Sequence, residues 1–395
     1  MTLTPYRQVL AVPGISRLLL VATLARVPHT AAGVVLTLHV VTALGLGYGA
    51  AGLATAAYTV GAALGGPWRG RVVDRYGVRA SLWPSIAVEG AFWLASPWLP
   101  YELVLPGAVV AGMFTLPVFS LTRQAIGAVV PENLRRTAFA LDGITVEMSF
   151  MAGPLLGVLA VTQLSSTVAL VSVGACQVVA GLALVVLNPA VRSESATAAV
   201  PTPRRAWFTP RFTSVLLLMA ASTLALTGTD VAAVAVLNES GHTALLGVVF
   251  AAWGLGSIAG GAVYGAMSRT IGSPVLVVGL ALVTIPLGLA QPWWVLGFAL
   301  VVAGALCAPS VAATVGDVSR LVPEAHRGEA MGWHSTAATM GVAAGAPLTG
   351  LAIDHIGPGW GFAAAGVAGL VIALVALVVV RVARPAEVAE MTPVA

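Results

Sequence analysis

The sequence predicts an all-α membrane protein whose twelve transmembrane helices form two homologous six-helix bundles. Three observations carry this. Only 9% of the 395 residues are charged, against roughly 25% in an ordinary soluble chain. The charge-free runs are long, at 27–68, 103–122, 148–191, 270–316, 330–353 and 355–380, and a helix that crosses a bilayer needs about 20 predominantly apolar residues. A polar stretch, NPAVRSESATAAVPTPRRAWFTPR at 188–211, divides the chain near its middle. Barrel strands are excluded, because they alternate polar and apolar residues and these runs do not.

The elements follow in order. After Arg7 and Arg17 comes LLLVATLA, and the hydrophobic stretch continues past residue 40 without a cleavage site. It therefore reads as a first span, 15–43, and not as a signal peptide. The run 27–68 also holds span 2 (48–68). Span 3 is placed at 80–98 and span 4 at 103–123. The run 148–191 holds most of span 5 (138–161) and all of span 6 (166–187). Spans 7 and 8 are placed at 212–238 and 244–267. The run 270–316 fits spans 9 (274–291) and 10 (293–316) joined by a tight turn, and the last two runs give spans 11 (330–353) and 12 (360–381). The expected organisation is a first bundle at 1–187, a solvated linker at 188–211 and a second bundle with a short tail at 212–395.

All 19 basic residues are Arg. With the N-terminus in the cytoplasm, every Arg except Arg26 falls at a cytoplasmic end or loop, as the positive-inside rule asks. The Arg, Ala and Gly usage points to a bacterial source. The expected location is a bacterial cytoplasmic membrane, crossed many times, with both termini inside. Topology accounts for the net charge of +4, so no nucleic-acid partner is implied. Cys176 and Cys307 lie in apolar runs and read as small packing residues.

The halves repeat each other. AAGLATAAYTVGAALGG (50–66) aligns with LLGVVFAAWGLGSIAGG (245–261) at an offset of 195, so Gly52, Gly61, Gly65 and Gly66 recur as Gly247, Gly256, Gly260 and Gly261. Gly70 and Gly77 match Gly265 and Gly272. VPENLRRTA (130–138) pairs with VPEAHRGEA (322–330) at an offset of 192, and GPLLG (153–157) echoes GAPLTG (345–350). Several matches near one register, close to half the chain length, imply parallel repeats related by an axis along the membrane normal.

Between spans 2 and 3 lies GRVVDRYGVR (70–79), four of whose ten residues are charged. The pattern Gly70-x-x-x-Asp74-Arg75-x-Gly77-x-Arg79 resembles the signature loop of the major facilitator superfamily. The resemblance covers essentially the whole chain. It departs at Val78, where the family usually has a basic residue, and at Arg269, which stands at the Asp position of the second copy. Gly70 and Gly77 suit a tight turn and close helix approach, and Arg75 and Arg79 can meet anionic headgroups. The resemblance implies that Asp74 latches onto the other bundle, where the positive end of a helix such as span 11 would favour it by about 0.3–1 kcal/mol. Gly70, Asp74, Arg75, Gly77, Arg79 and Arg123 are the expected latch residues. Plain positive-inside topology would explain the arginines but not the Gly/Asp spacing. GPLLGV in span 5 partly resembles the glycine-proline motif of drug–proton antiporters, with Ser149 and Val158 where Gly is usual. Those antiporters carry an Arg near the middle of span 4, whereas here the span as placed has none before Arg123.

Ionisable residues at membrane depth need a reason, since each costs at least about 2.5–3.5 kcal/mol on insertion scales. Arg26 lies about 16 Å into span 1 and Glu147 about 14 Å into span 5, with His29 on the Arg26 face. These residues and Asp230 in span 7 are the expected proton or substrate translocation residues. Their expected action is an Arg26–Glu147 pair in which Glu147 takes up a proton when Arg26 moves away. A buried structural pair is the competing reading. Asp142, nearer the end of span 5, lies off the Glu147 face, and Glu89, on the peripheral span 3, reads as structural. Tyr58, Phe119, Gln124, Trp253, Trp333 and His334 are candidates for lining a cavity.

No cofactor or metal is implied: the chain has no phosphate loop, no metal-ligand spacing among its six His and no nucleophile–base constellation. The resulting expectation is a secondary transporter, not an enzyme. It would act as a monomer in the lipid bilayer, moving a small molecule by alternating access, and would export it in exchange for protons. A proton-coupled importer on the same fold and a non-transporting membrane sensor remain as alternatives.

Overall fold

A computed structural model describes residues 4–192, 203–242, 245–267, 269, 271–290 and 292–390, the side chains of 48 and 383–390 excepted. Among the described residues, nine helical stretches are long and apolar enough to cross a membrane, and Ser273–Leu289 is a shorter apolar one. After a short first helix α1 (Thr4–Ala11), the first half runs α2 (Ile15–Thr42), α3 (Tyr48–Tyr76), α4 (Val78–Ala95), α5 (Tyr101–Met113), α6 (Val118–Val129), α7 (Glu132–Gln163) and α8 (Ser166–Leu187). A one-turn α9 (Arg204–Trp207) precedes α10 (Pro210–Glu239), α11 (Leu246–Ala266), α12 (Ser273–Thr284), α13 (Trp293–Gly304), α14 (Cys307–Leu321), α15 (Arg327–His355) and α16 (Pro358–Glu390). Taking α5–α6 and α13–α14 as single broken spans, the segments from α2 to α16, without α9, are the twelve anticipated. The expected linker lies partly outside the described residues.

The ends differ from the sequence reading, and for one reason. A charge-free run marks where charge stops, whereas Arg and Glu are good helix formers, so helices continue past it. α3 runs to Tyr76, which makes Gly70, Asp74 and Arg75 helical instead of part of a loop. The turn is Gly77 alone, at φ 87°, and α4 starts at Val78. α7 begins at Glu132, six residues before the anticipated start. Span 4 reaches Val129, which puts Arg123 inside α6 and not at a helix end.

Spans 4 and 10 break at matching places. Pro117 opens α6, and a proline lacks the N–H that would continue the ladder. In the second half the break falls at Ala305 and Leu306. Elsewhere the caps are local: the Ser165 hydroxyl accepts from Val168 N at 3.1 Å, and Thr209 accepts from Phe212 N ahead of α10.

The chain divides into two compact units, one of residues 2–199 with 324–336, the other mainly of 200–323 with 337–395. The first three turns of α15 therefore belong with the first half. The first unit buries Val35, Leu36, Phe92, Trp93, Val104 and Leu170 in one cluster and Leu82, Leu116, Leu121 and Leu184 in another. The second unit buries Leu237, Trp253, Leu296, Leu300 and Phe362.

Candidate functional site

Three polar assemblies occur in the first unit. The first joins α3 to the start of α15. Asp74 Oδ1 accepts from Gly328 N at 2.8 Å and Oδ2 from Glu329 N at 2.7 Å. A helix leaves its first N–H groups without intrahelical partners, and here a carboxylate from another helix caps them where the helix dipole is positive. The approach is close because Gly70 faces Gly328 and Gly66 faces Gly332; a Cβ on Gly70 would overlap the Gly328 carbonyl. Two small-xxx-small pairs thus let the backbones touch. Arg71 Nε meets Glu329 Oε1 at 3.0 Å, and Arg192 donates to the Asp74 carbonyl and to Ala325 O. Arg75 is exposed beside Tyr76, and Arg79 Nε donates to Val185 O at 3.2 Å. Arg123, expected among the latch residues, lies instead beside Asp142 and His334.

The second assembly is ionic. Arg26, fully buried in α2, donates to Asp142 Oδ1 at 2.7 Å and to Thr145 Oγ1 at 3.0 Å. Its guanidinium lies over the Phe119 ring, 5.1 Å from the centroid. Arg123 Nε lies 3.7 Å from Asp142 Oδ2, and its Nη1 is 3.5 Å from His334 Nδ1 on α15. One carboxylate thus stands between two buried guanidiniums, the Nε atoms of which make no hydrogen bond. This corrects the Arg26–Glu147 pairing: the carboxylate on Arg26 is Asp142. The early start of α7 is the physical reason. Counted from Glu132, Asp142 is about 15 Å along the helix, the depth of Arg26 along α2. Glu147 is half-buried, further along α7.

The third assembly lies at the break in span 4 and joins Glu89, Tyr58 and His29 to residues with no sequence signal. Arg69 of α3 donates to the carbonyls of Gly112 and Met113 at the end of α5. Glu89 Oε2 accepts from Leu116 N at 2.7 Å ahead of α6. The break exposes backbone acceptors and a donor inside the unit, and one guanidinium and one carboxyl group satisfy them. Glu89 Oε1 also meets Tyr58 Oη at 2.6 Å and Thr115 Oγ1 at 2.8 Å, and the amide nitrogen of Gln177 on α8 donates to it at 2.7 Å. His29 Nδ1 is 3.5 Å from Thr115 Oγ1, and its ring lies edge-on to Phe119 at 5.5 Å. His29 therefore stands between the Glu89 and Arg26 assemblies. Arg69, Thr115 and Gln177 left no sequence signal, whereas Glu89, Tyr58 and His29 stand out in the sequence as polar groups within apolar spans.

The remaining candidates are scattered. Gln124 is buried in α6. Trp333 Nε1 lies 3.4 Å from Glu329 Oε1. Trp253 packs into the core of the second unit, against Phe250. Asp230 is exposed on α10, also in the second unit.

The comparisons with known proteins agree with this architecture. Among solved structures, the human organic anion transporter MFSD10 (TETRAN) superposes with a TM-score of 0.71 at 17% identity, covering 92% of this chain and 99% of that one. A bacterial homologue of the iron transporter ferroportin, in an outward-facing state, gives 0.72 at 13% identity, covering 93% and 99%. The proton:xylose symporter XylE gives 0.70 at 15% identity, covering 91% and 94%. At these identities the likeness is one of fold. No curated protein matches the sequence. The sequence profile described as Major Facilitator Superfamily matches residues 18–273 and again 215–392. With twelve membrane segments grouped from the described helices, an internal repeat and a profile that spans both halves, this integral membrane protein belongs to the Major Facilitator Superfamily of transporters.

Proposed function

We propose that the protein exports a small molecule across a bacterial cytoplasmic membrane by alternating access, in exchange for protons, as a monomer with both termini in the cytoplasm. The observation that carries the coupling is the Arg26–Asp142–Arg123 assembly. Two buried guanidiniums hold one carboxylate at membrane depth, where an ion without a partner costs several kcal/mol. A substrate or helix movement that draws one guanidinium away leaves a carboxylate that binds a proton, and the return of the guanidinium releases it. Asp142 takes the role first assigned to Glu147, and Glu147, His29 and Asp230 remain candidates along the path. Asp74 acts as the latch, since its hydrogen bonds to α15 must break if that helix end moves. The partly exposed Phe119, Tyr58 and Trp333 supply the aromatic and polar surface for substrate, and Gln124 and His334, buried in this conformation, remain candidates.

The test begins with a thermal-shift screen of purified protein against metabolites and antibiotics, followed by flux of the hit in vesicles with and without an imposed pH gradient. Asp142→Asn is expected to keep substrate binding and to lose the response to the gradient, and Glu147→Gln to keep both. An unchanged response in Asp142→Asn refutes this coupling site, and gradient-driven uptake into intact cells refutes export. The orientation is read by thiol labelling of a Cys-free protein: a cysteine at Ser240 is expected to react from outside intact cells and one at Tyr76 is not.

A further inference from the structure

Glu89 is 1% exposed, and among the described residues no ion pair holds it; the Arg69 guanidinium donates instead to the carbonyls of Gly112 and Met113. What surrounds its Oε1 is a triangle of oxygens. Tyr58 Oη lies 2.6 Å from Glu89 Oε1 and 2.6 Å from Thr115 Oγ1, and Thr115 Oγ1 lies 2.8 Å from Glu89 Oε1. Oxygens at these separations are hydrogen-bonded, and each side of the triangle needs a hydrogen of its own. The two hydroxyls supply one each. An ionised Glu89 supplies none, which would leave one side as a contact between bare lone pairs. His29 cannot fill the gap, because it reaches only Thr115, at 3.5 Å. Gln177 Nε2 and Leu116 N donate to the carboxyl oxygens and supply no hydrogen to the side between the two hydroxyls.

A proton on Oε1 closes the ring: Glu89 donates to one hydroxyl, that hydroxyl to the other, and the second back to Glu89. Oε2 then acts as the carbonyl oxygen that accepts from Leu116 N. We propose that Glu89, Tyr58 and Thr115 form a proton-binding site that is occupied in this conformation, with His29 as its exchange route. The groups facing the carboxyl are Tyr58 and Arg69 on α3, His29 on α2, Thr115 and Leu116 at the break and Gln177 on α8. Of these, His29 alone combines partial exposure with a free base at neutral charge. On release the Glu89 O–H bond breaks as its proton passes to Thr115 Oγ1, the former Thr115 proton forms the N–H bond at His29 Nδ1, and the products are a carboxylate and an imidazolium. No other bond changes.

A cation site is disfavoured by the same geometry, because the Leu116 N–H points at the carboxyl and the three oxygens stand too close together to surround an ion. The proposal concerns protonation of the protein itself, without substrate, so it can fail while the Asp142 coupling stands, and the reverse.

The test is infrared spectroscopy of the full chain reconstituted in lipid, at neutral pH and without substrate. Wild type is expected to show a protonated-carboxyl C=O band that disappears in Glu89→Gln, an isosteric change whose amide can still donate to the ring. Tyr58→Phe, which opens the ring but keeps the carboxyl, is expected to shift that band without removing it. A spectrum in which Glu89→Gln instead removes carboxylate intensity overturns the proposal, as does a band that Tyr58→Phe leaves in place. Loss of the band on exchanging choline for sodium at one pH would make the site a cation site and overturns it too. If Glu89→Gln does not fold, the Tyr58→Phe shift and the sodium exchange decide alone.

Discussion

In the first half, Gly61, Gly65 and Gly112 bring α3 against α5; in the second, Gly256, Gly260 and Gly304 bring α11 against α13. The partners correspond one by one. A Cβ on Gly61 or Gly256 would overlap the carbonyl of Val109 or Val301, one on Gly65 or Gly260 that of Met113 or Ala305, and one on Gly112 or Gly304 that of Tyr58 or Trp253. Every pair keeps the offsets of 195 and 192 read from the repeat. The polar groups at the same positions do not correspond. Where Leu116 N at the break of span 4 is held by Glu89, Ala308 N at the break of span 10 is held by the Ser257 hydroxyl at 3.2 Å. At the repeat positions of Glu89, Arg69 and Asp142 stand Thr284, Tyr264 and His334. The lesson is that close helix approach is the property the two halves share. Backbone groups freed by a break can be capped by a neutral hydroxyl, so the buried ionisable groups of the first half are more than the fold requires.

The strongest way to break this comparison is Asp142→Leu, which strands two guanidiniums and is expected to cost about 3–5 kcal/mol. Thermal unfolding of the purified protein measures it. Adding Arg26→Met is expected to restore much of the loss while gradient-driven flux stays absent; if flux returns, the charges are structural. Next in size, Gly65→Ala and Gly260→Ala should destabilise alike, toward the upper end of about 1–3 kcal/mol for overpacking, since each new methyl meets a backbone carbonyl. A large effect in one half and none in the other would end the claim of common packing. Ser257→Ala is expected to cost about 1 kcal/mol, the scale of one neutral hydrogen bond, with flux retained. The smallest change in stability belongs to Asp74→Asn. The amide keeps an acceptor for the first N–H groups of α15 but loses the charge that favours the helix terminus, worth about 0.3–1 kcal/mol. Flux is nevertheless expected to fall at unchanged expression if Asp74 acts as the proposed latch. Normal flux would reduce the motif to a topology signal.

By itself the sequence determined the number and order of the spans, the repeat register and the Asp74 motif with its glycine spacing. These depend on composition and local pattern: charge is excluded from a bilayer core, and glycines recur where backbones touch. Partnership was decided by tertiary structure. Arg26 meets Asp142 because α7 starts at Glu132 and brings that carboxylate to the same depth, and a run of uncharged residues does not say where a helix starts. Glu89 looked peripheral on its own span. Its meaning comes from the break at Pro117, which presents an N–H beside it, and from Tyr58, Thr115 and Gln177, contributed by α3, the break and α8. Which side chains converge depends on the rotation and depth of helices far apart in the chain, and no periodicity within one helix records that.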